Sequence, residues 1–240
     1  MKPPAVLDRL EALAARYGLP ASATERFALL LDLVAAEPAA ITSVRDPERG
    51  VDVHVADSLV ALEVEAVRTS ERIVDLGAGG GFPGLALAVA LAGARVALVE
   101  SVERKCAFLR HAAGVLGLSN VDVVNARAEA WPDGREAHDV ATARALAPLP
   151  VVLEYAAPLL AVGGTLVAWK GRRDPGEEAD GGAAAGLLHM SRPAPLEVHP
   201  FADAHDRHLY ISSKVGSTPN GYPRRPGMAR KRPLRASTGR

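Results

Sequence analysis

Between residues 73 and 170 short apolar runs alternate with helix-like stretches, and this rhythm restricts the fold more than any other property of the chain. The runs occupy residues 73–76, 95–100, 121–124, 138–142 and 165–170. Each is short, rich in Val, Leu and Ala, and apolar at consecutive positions, as strands covered on both faces are. Helical patterns follow at residues 85–92, 103–116 and 149–160; in the second, Cys106, Leu109, Ala113 and Leu116 share one side. Such alternation predicts an α/β, Rossmann-like chain: a largely parallel sheet, helices on both faces, and ligands at the carboxyl ends of the strands. Residues 171–186 read as a polar loop turning helical near Leu187, and residues 196–198 with 208–211 as a closing antiparallel pair.

The first run empties into Gly77-Ala78-Gly79-Gly80-Gly81-Phe82-Pro83-Gly84. A strand that ends in glycines brings bare backbone against a ligand, because no Cβ holds the two apart. Asp75 stands two residues before the first glycine, where a carboxylate can fix the loop or meet a positive ligand group. Glu100 ends the second run 23 residues after Gly77, a position suited to accepting both hydroxyls of a ribose. Pro83 removes an N–H that a pyrophosphate would need, so a ribose joined to a positive charge suits the loop better, and S-adenosylmethionine has both. The glycine spacing alone also fits a nicotinamide site. A nicotinamide-dependent oxidoreductase and a non-catalytic RNA-binding module on the same scaffold are the competing readings.

Residues 5–17 and 22–37 carry helical periodicity, the second opened by a Ser22-x-x-Glu25 capping-box pattern, and residues 51–67 read as a third helix. The expected organisation is a helical extension over residues 1–70, a core over 71–213, and a tail over 214–240. The formal net charge of zero conceals a division: the tail holds 8 basic residues and no acid, leaving the body 20 basic against 28 acidic groups. Interrupted by prolines, that tail is expected to be flexible and to neutralise phosphates. A single cysteine, Cys106, excludes a disulfide framework and a cysteine zinc site, in keeping with the cytoplasm. Neither a signal peptide nor a membrane span is visible, and a metal-free monomer is expected.

Three stretches together carry a resemblance: Thr42-Ser43-Val44-Arg45-Asp46-Pro47, His54-x-x-Asp57-Ser58, and Val74-Asp75-Leu76-Gly77-Ala78-Gly79-Gly80-Gly81-Phe82-Pro83-Gly84. Glu100-Ser101, Lys105-x-x-Phe108-Leu109, Ala126-Arg127-Ala128-Glu129, Ala143-Arg144-Ala145, Lys170-Gly171 and Arg207-His208-Leu209 extend it in order. Over about residues 22–235 the chain resembles the bacterial 16S ribosomal RNA guanine-N7 methyltransferases, the glucose-inhibited division protein B family. The resemblance implies a class I S-adenosylmethionine-dependent methyltransferase fold. It also implies methyl transfer to a guanine of the decoding region (the 530 loop), within 16S rRNA, the small ribosomal subunit or an assembly intermediate. It places Gly77 and Phe82 by the methionine and ribose, Ala128 and Glu129 by the adenine, and Arg144 near the transferring methyl as a positioning group. With Asp75, Gly79 and Glu100 these are the expected cofactor contacts. Arg45, His54, Lys170, Arg224, Arg225, Arg230, Lys231 and Arg232 are the expected RNA contacts.

The residues after the fourth run agree with that chemistry. Guanine N7 offers a free lone pair, so its methylation needs an aligned donor and a held base, not a general base. Thr142-Ala143-Arg144-Ala145-Leu146 stands where a methylase of exocyclic amines would carry Asn-Pro-Pro-Tyr. Cys106 falls inside a helical pattern and is expected in the core, which disfavours the nucleophilic cysteine of a pyrimidine carbon-5 methylase.

Overall fold

The computed structural model describes residues 4–38 and 41–236. Among them, seven strands form one sheet in the order β3-β2-β1-β4-β5-β7-β6. The strands are β1 (Arg72–Leu76), β2 (Arg95–Glu100), β3 (Val121–Asn125), β4 (His138–Arg144), β5 (Leu160–Lys170), β6 (Ala194–Glu197) and β7 (His208–Ser213). β1 to β5 run parallel, while β7 lies antiparallel to β5 and β6 antiparallel to β7. β1 pairs with β2 on one side and β4 on the other, so the connections leave it in opposite directions. A crevice opens beyond its carboxyl end, where the glycines follow.

Side chains of β1 alternate between two cores. Ile73 joins a cluster with Leu85, Leu87, Leu98 and Leu109, and Val74 joins one with Leu153, Leu159 and Leu166 on the opposite face. Burying each such Leu or Ile is worth about 1.5–3 kcal/mol, which is how consecutive apolar positions hold a strand between helical layers. The first core also takes Leu10, Phe27, Leu30 and Leu31, the inner faces of α1 (Pro4–Arg16) and α2 (Ser22–Ala36). α2 begins where expected, but Ser22 is already helical and the cap position, Ala21, makes no side-chain bond.

The expected third helix is a composite. α3 (Pro47–Gly50), capped by Asp46, passes into a π-helical stretch (Val51–Ala56), α4 (Asp57–Leu59) and a 3-10 turn (Val60–Glu63); α5 (Glu65–Arg68) follows an extended Val64. The π-helical stretch holds His54, and α4 opens at Asp57. α6 (Gly84–Ala90) and α7 (Glu103–Val115) fall close to expectation, with Cys106 buried. α8 (Leu149–Ala156) packs on α9 (Pro175–Leu187), which corrects the loop expected over residues 171–186. Asp174 caps α9 by accepting from the amides of Gly176 and Glu177, and Pro175 occupies its first turn. That start signal was legible; the glycines masked it. Gly181 then admits Leu149, whose Cδ2 lies 2.7 Å from where a Cβ would stand.

Over residues 214–236 the tail is structured, against expectation. The Lys214 side chain is enclosed, donating to the Leu160 carbonyl and Glu136. Arg224 pairs with Glu154, and the Gly227 amide donates to Glu129 at 3.0 Å ahead of α10 (Met228–Lys231). The Ala236 amide donates to Asp180 at 2.9 Å, while Tyr222 and Leu234 pack on the second core. Composition indicated flexibility because the anchoring acids belong to distant parts of the chain. Residues 237–240 of the expected tail lie outside the described residues.

Candidate functional site

The loop after β1 is held by carboxylates from below. Gly77 and Ala78 donate to the Val99 carbonyl, continuing the β1–β2 ladder by one turn of chain. Gly79 then donates to Glu100 Oε2 at 3.1 Å, and Glu100 Oε1 accepts from the amide of Val102 at 2.9 Å. Asp75, 1% exposed, accepts from the Gly84 amide at 3.0 Å and from the Thr142 hydroxyl at 2.9 Å. Burial pushes its pKa up to about 7, opposed by those same two bonds. Of the two roles open to Asp75, the structure gives it the loop-fixing one. Gly84 has no room for a side chain: a Cβ would stand 2.3 Å from Leu98 Cδ2 and 2.7 Å from Asp75 Oδ2. Gly84→Ala is therefore expected to destabilise by about 2–3 kcal/mol in urea unfolding, the scale of an overpacked core. A loss under about 0.5 kcal/mol would show that the loop yields easily.

Two cavities meet at the switch point. The smaller, about 370 Å³, lies over β1, β2 and β3 and is lined by Gly77, Glu100, Lys105, Ala128, Glu129 and Arg230 among others. The larger, about 470 Å³, lies over β4 and β5 and is lined by His54, Asp57, Arg144, Trp169, Lys170 and Arg207 among others. Ala145 and Leu146 line both. Ala145 has φ 53, a left-handed conformation that costs a non-glycine residue about 1 kcal/mol or more and persists only where surroundings impose it. The Leu146 side chain then occupies the space a Cβ on Gly77 would need, 2.6 Å away. The dividing wall thus depends on a glycine opposite it.

In the larger cavity, Arg144 Nη1 donates to Asp57 Oδ2 and to the Val53 carbonyl, both at 3.0 Å. Its guanidinium lies 5.7 Å from the Phe82 ring centroid, and Phe82 stacks on His54 at 4.5 Å with the rings 8° apart. Burial lowers the pKa of Arg144, countered by the Asp57 charge, and burial also lowers that of His54. His54 Nε2 stands 2.9 Å from the Val44 carbonyl, which can only accept, so Nε2 bears the proton of the neutral ring. Trp169 Nε1 donates to the Asp57 carbonyl at 2.6 Å. These contacts pin the N-terminal helical segment to the ends of β4 and β5.

The expected site residues separate into groups. Gly77, Glu100, Ala128 and Glu129 share the smaller cavity, while Arg144, His54 and Lys170 share the larger. Asp75, Gly79 and Phe82 line neither, supporting loop and wall from behind. His54 is buried, 5% exposed, and Lys170 is engaged by Glu177 and the Ala147 carbonyl, so of the expected RNA contacts these two line the larger cavity. Arg224 is likewise consumed by Glu154. Arg45, Arg225, Arg230, Lys231 and Arg232 are exposed. The Glu129 side chain is sheltered against Gly227 and Arg127, not solvated. Sequence reasoning omitted Asp57 and Arg207 from the larger cavity, and Lys105, Arg127 and Tyr155 from the smaller. The first two, Lys105 and Arg127 stood in the quoted resemblance; Tyr155 carried no signal beyond its helix. Among the described residues no cluster of His, Cys, Asp and Glu could hold a metal ion, and no helix is long and apolar enough to cross a membrane.

Comparison with known proteins supplies the rest. A family model described as rRNA small subunit methyltransferase G (GidB) matches residues 23–209. The ribosomal RNA small subunit methyltransferase G of Rubrobacter xylanophilus is 44% identical over 222 residues, 89% of this chain and 84% of that protein. The protein of the same name from Desulfitobacterium hafniense is 35% identical over 234 residues, 95% of this chain and 97% of that one. Among solved structures, an S-adenosylmethionine-dependent methyltransferase from Aquifex aeolicus superposes with a TM-score of 0.56 at 18% identity, covering 75% of this chain and 99% of that one. A Thermotoga maritima O-methyltransferase gives the same score and identity over 79% of this chain and 72% of that one. At that identity the two structures speak to the fold alone, which is the Rossmann-like class I methyltransferase arrangement.

Proposed function

The chain belongs to the rRNA small subunit methyltransferase G family, and from that premise we propose that it methylates N7 of a guanine in the 530 loop of 16S ribosomal RNA, with S-adenosylmethionine as donor. The observation that carries this reading is the pair of cavities sharing the Ala145–Leu146 wall, one fitted to a nucleoside and the other to a base. In the smaller, Glu100 is the carboxylate suited to a ribose, and the backbone from Ala126 to Glu129 is the polar edge suited to adenine. Bound there, the cofactor supplies a methyl group activated on a sulfonium. The N7 lone pair forms the new bond while the carbon–sulfur electrons remain on sulfur, so no proton leaves the base.

The larger cavity suits such a reaction because its residues hold and do not deprotonate. One oxygen of Asp57, Oδ2, is taken by Arg144, and Arg144 stands at the end of β4 beside the shared boundary. Exposed Arg225, Arg230, Lys231 and Arg232, with Arg45 across the N-terminal segment, supply the basic surface for rRNA phosphates. We place the enzyme in the cytoplasm as a monomer acting on the small subunit or its precursor.

Incubating the protein with tritiated S-adenosylmethionine and small subunits from cells lacking the activity is expected to label one guanine of 16S rRNA. Replacing that guanine by 7-deazaguanine should abolish labelling. Persistent label on the 7-deaza RNA would refute N7 as acceptor. Cofactor binding without any label would favour the non-catalytic reading, and binding of NAD in place of S-adenosylhomocysteine the oxidoreductase.

A further inference from the structure

Among the described residues, three buried side-chain polar atoms lack a hydrogen-bond partner: His54 Nδ1, Asp57 Oδ1 and Thr218 Oγ1. Two of the three belong to residues lining the larger cavity. A buried carboxylate oxygen without a donor has given up its hydration for nothing in return, so its persistence in a residue at a cavity wall marks a position awaiting a donor. Asp57 is 5% exposed, and its other oxygen is already filled by Arg144. Over the vacant Oδ1 lies Arg207, with Nε 3.7 Å away, too far for a hydrogen bond. Its side chain is 38% exposed, so this cover is held loosely.

Asp57 and Arg207 together present an acceptor beside a donor. Along one edge guanine offers the complement: O6 accepts, N1–H and the N2 amino group donate. Adenine reverses the first two and lacks the third, yet carries an equally available N7. Contacts along that edge therefore separate the two purines while leaving N7 open to the methyl donor. Resting on the function proposed above, we propose that Asp57 Oδ1 accepts the N1–H and N2–H donors of the target guanine while Arg207 moves from Asp57 to O6. Asp57 is then the residue that determines the base, and Arg144 holds its other oxygen, leaving Oδ1 as the acceptor.

The arrangement also bears on the methyl transfer itself. The N7–carbon bond forms with the N7 electron pair, the carbon–sulfur bond breaks toward sulfur, and the positive charge passes from the sulfonium to the purine. A carboxylate on N1–H meets a hydrogen whose acidity rises as that charge arrives, so the contact is stronger in the transition state than in the bound substrate.

The test uses the full chain and small-subunit RNA carrying guanosine, inosine or 2-aminopurine at the mapped target position. Inosine keeps O6 and N1–H and lacks the amino group; 2-aminopurine keeps the amino group and lacks O6 and N1–H. For the native chain kcat/KM is expected to fall about tenfold on inosine, the scale of one lost hydrogen bond to a charged acceptor that keeps its other donor. In Asp57→Asn kcat on guanosine should drop at least tenfold, and the guanosine-to-inosine ratio should shrink toward one, with S-adenosylhomocysteine affinity unchanged. An undiminished ratio in a variant that still binds S-adenosylhomocysteine overturns the assignment. Should Asp57→Asn fail to fold, Arg207→Met carries the test: its guanosine preference over 2-aminopurine should fall, and an unchanged preference likewise overturns the proposal. A native chain inactive on all three RNAs would count against the methyltransferase reading itself, a separate outcome.

Discussion

Replacing Asp75 by Asn is expected to leave stability nearly unchanged at pH 4 and to raise it by a few kcal/mol at pH 8. Burial raises the Asp75 pKa from 3.8 to about 7, so the folded chain retains a proton that the unfolded chain has already released across that window. The stability tied to the neutral carboxyl is fully present below about pH 4 and is lost as pH climbs through about 7. Beyond that point the fold carries an ionised carboxylate at 1% exposure, and three pKa units correspond to roughly 4 kcal/mol. Asn keeps the geometry: its carbonyl accepts from Gly84, and its amide donates to the Thr142 hydroxyl, which can accept. Asp75→Ala removes the acceptor and is expected to lose about 1–3 kcal/mol at every pH, leaving the Gly84 amide unpaired. Melting temperatures of the three chains from pH 4 to 8 decide the matter. Parallel curves for the native and Asn chains would mean that Asp75 does not titrate in this range.

The second large effect concerns the tail. Arg224 donates three side-chain bonds to Glu154, which is 1% exposed and also accepts from the Arg224 amide. Arg224→Met strands a buried carboxylate, and the expected loss is about 3 kcal/mol or more in urea unfolding. Replacing both partners, Glu154→Leu with Arg224→Met, should restore most of it, because two apolar groups leave no charge uncompensated. A single-variant loss that the double variant fails to recover would show that the stability comes from packing elsewhere. The same variants separate anchoring from RNA contact. In the double variant the salt dependence of RNA binding is expected to match that of the native chain, since the Arg224 guanidinium is already paired with Glu154. Arg225→Ala and Lys231→Ala should each reduce its logarithmic slope by about 0.7–0.9.

How much of this was readable in advance depends on the distance over which the deciding contacts act. Strand order aside, β1 to β5 were visible as apolar runs, and the glycine bend announced itself because positive φ at Gly77, Gly79 and Gly81 demands that residue. Asp75 and Glu100 drew attention for the same local reason, their place at strand ends beside glycines. The helix over Pro175–Leu187 was missed because its glycines outweighed the Asp174-Pro175 start. Phe82 stacks on His54, a partner that arrives from the N-terminal segment and that the glycine loop could not announce.

Local pattern alone settled the alternating layers, the crevice at the end of β1, and the acids beneath it. These follow from steric rules and hydrophobic period acting over a few residues. Tertiary structure alone decided which charges remain available. Arg144 is claimed by Asp57 from 87 positions away, Arg224 by Glu154 from 70, and Gly227 by Glu129 from 98. A charge left in water and a charge paired in the interior read identically along a chain. Only folding brings the partner close enough to offset the loss of solvent, and so separates the anchored part of the tail from its exposed cations and leaves one oxygen of Asp57 without a donor.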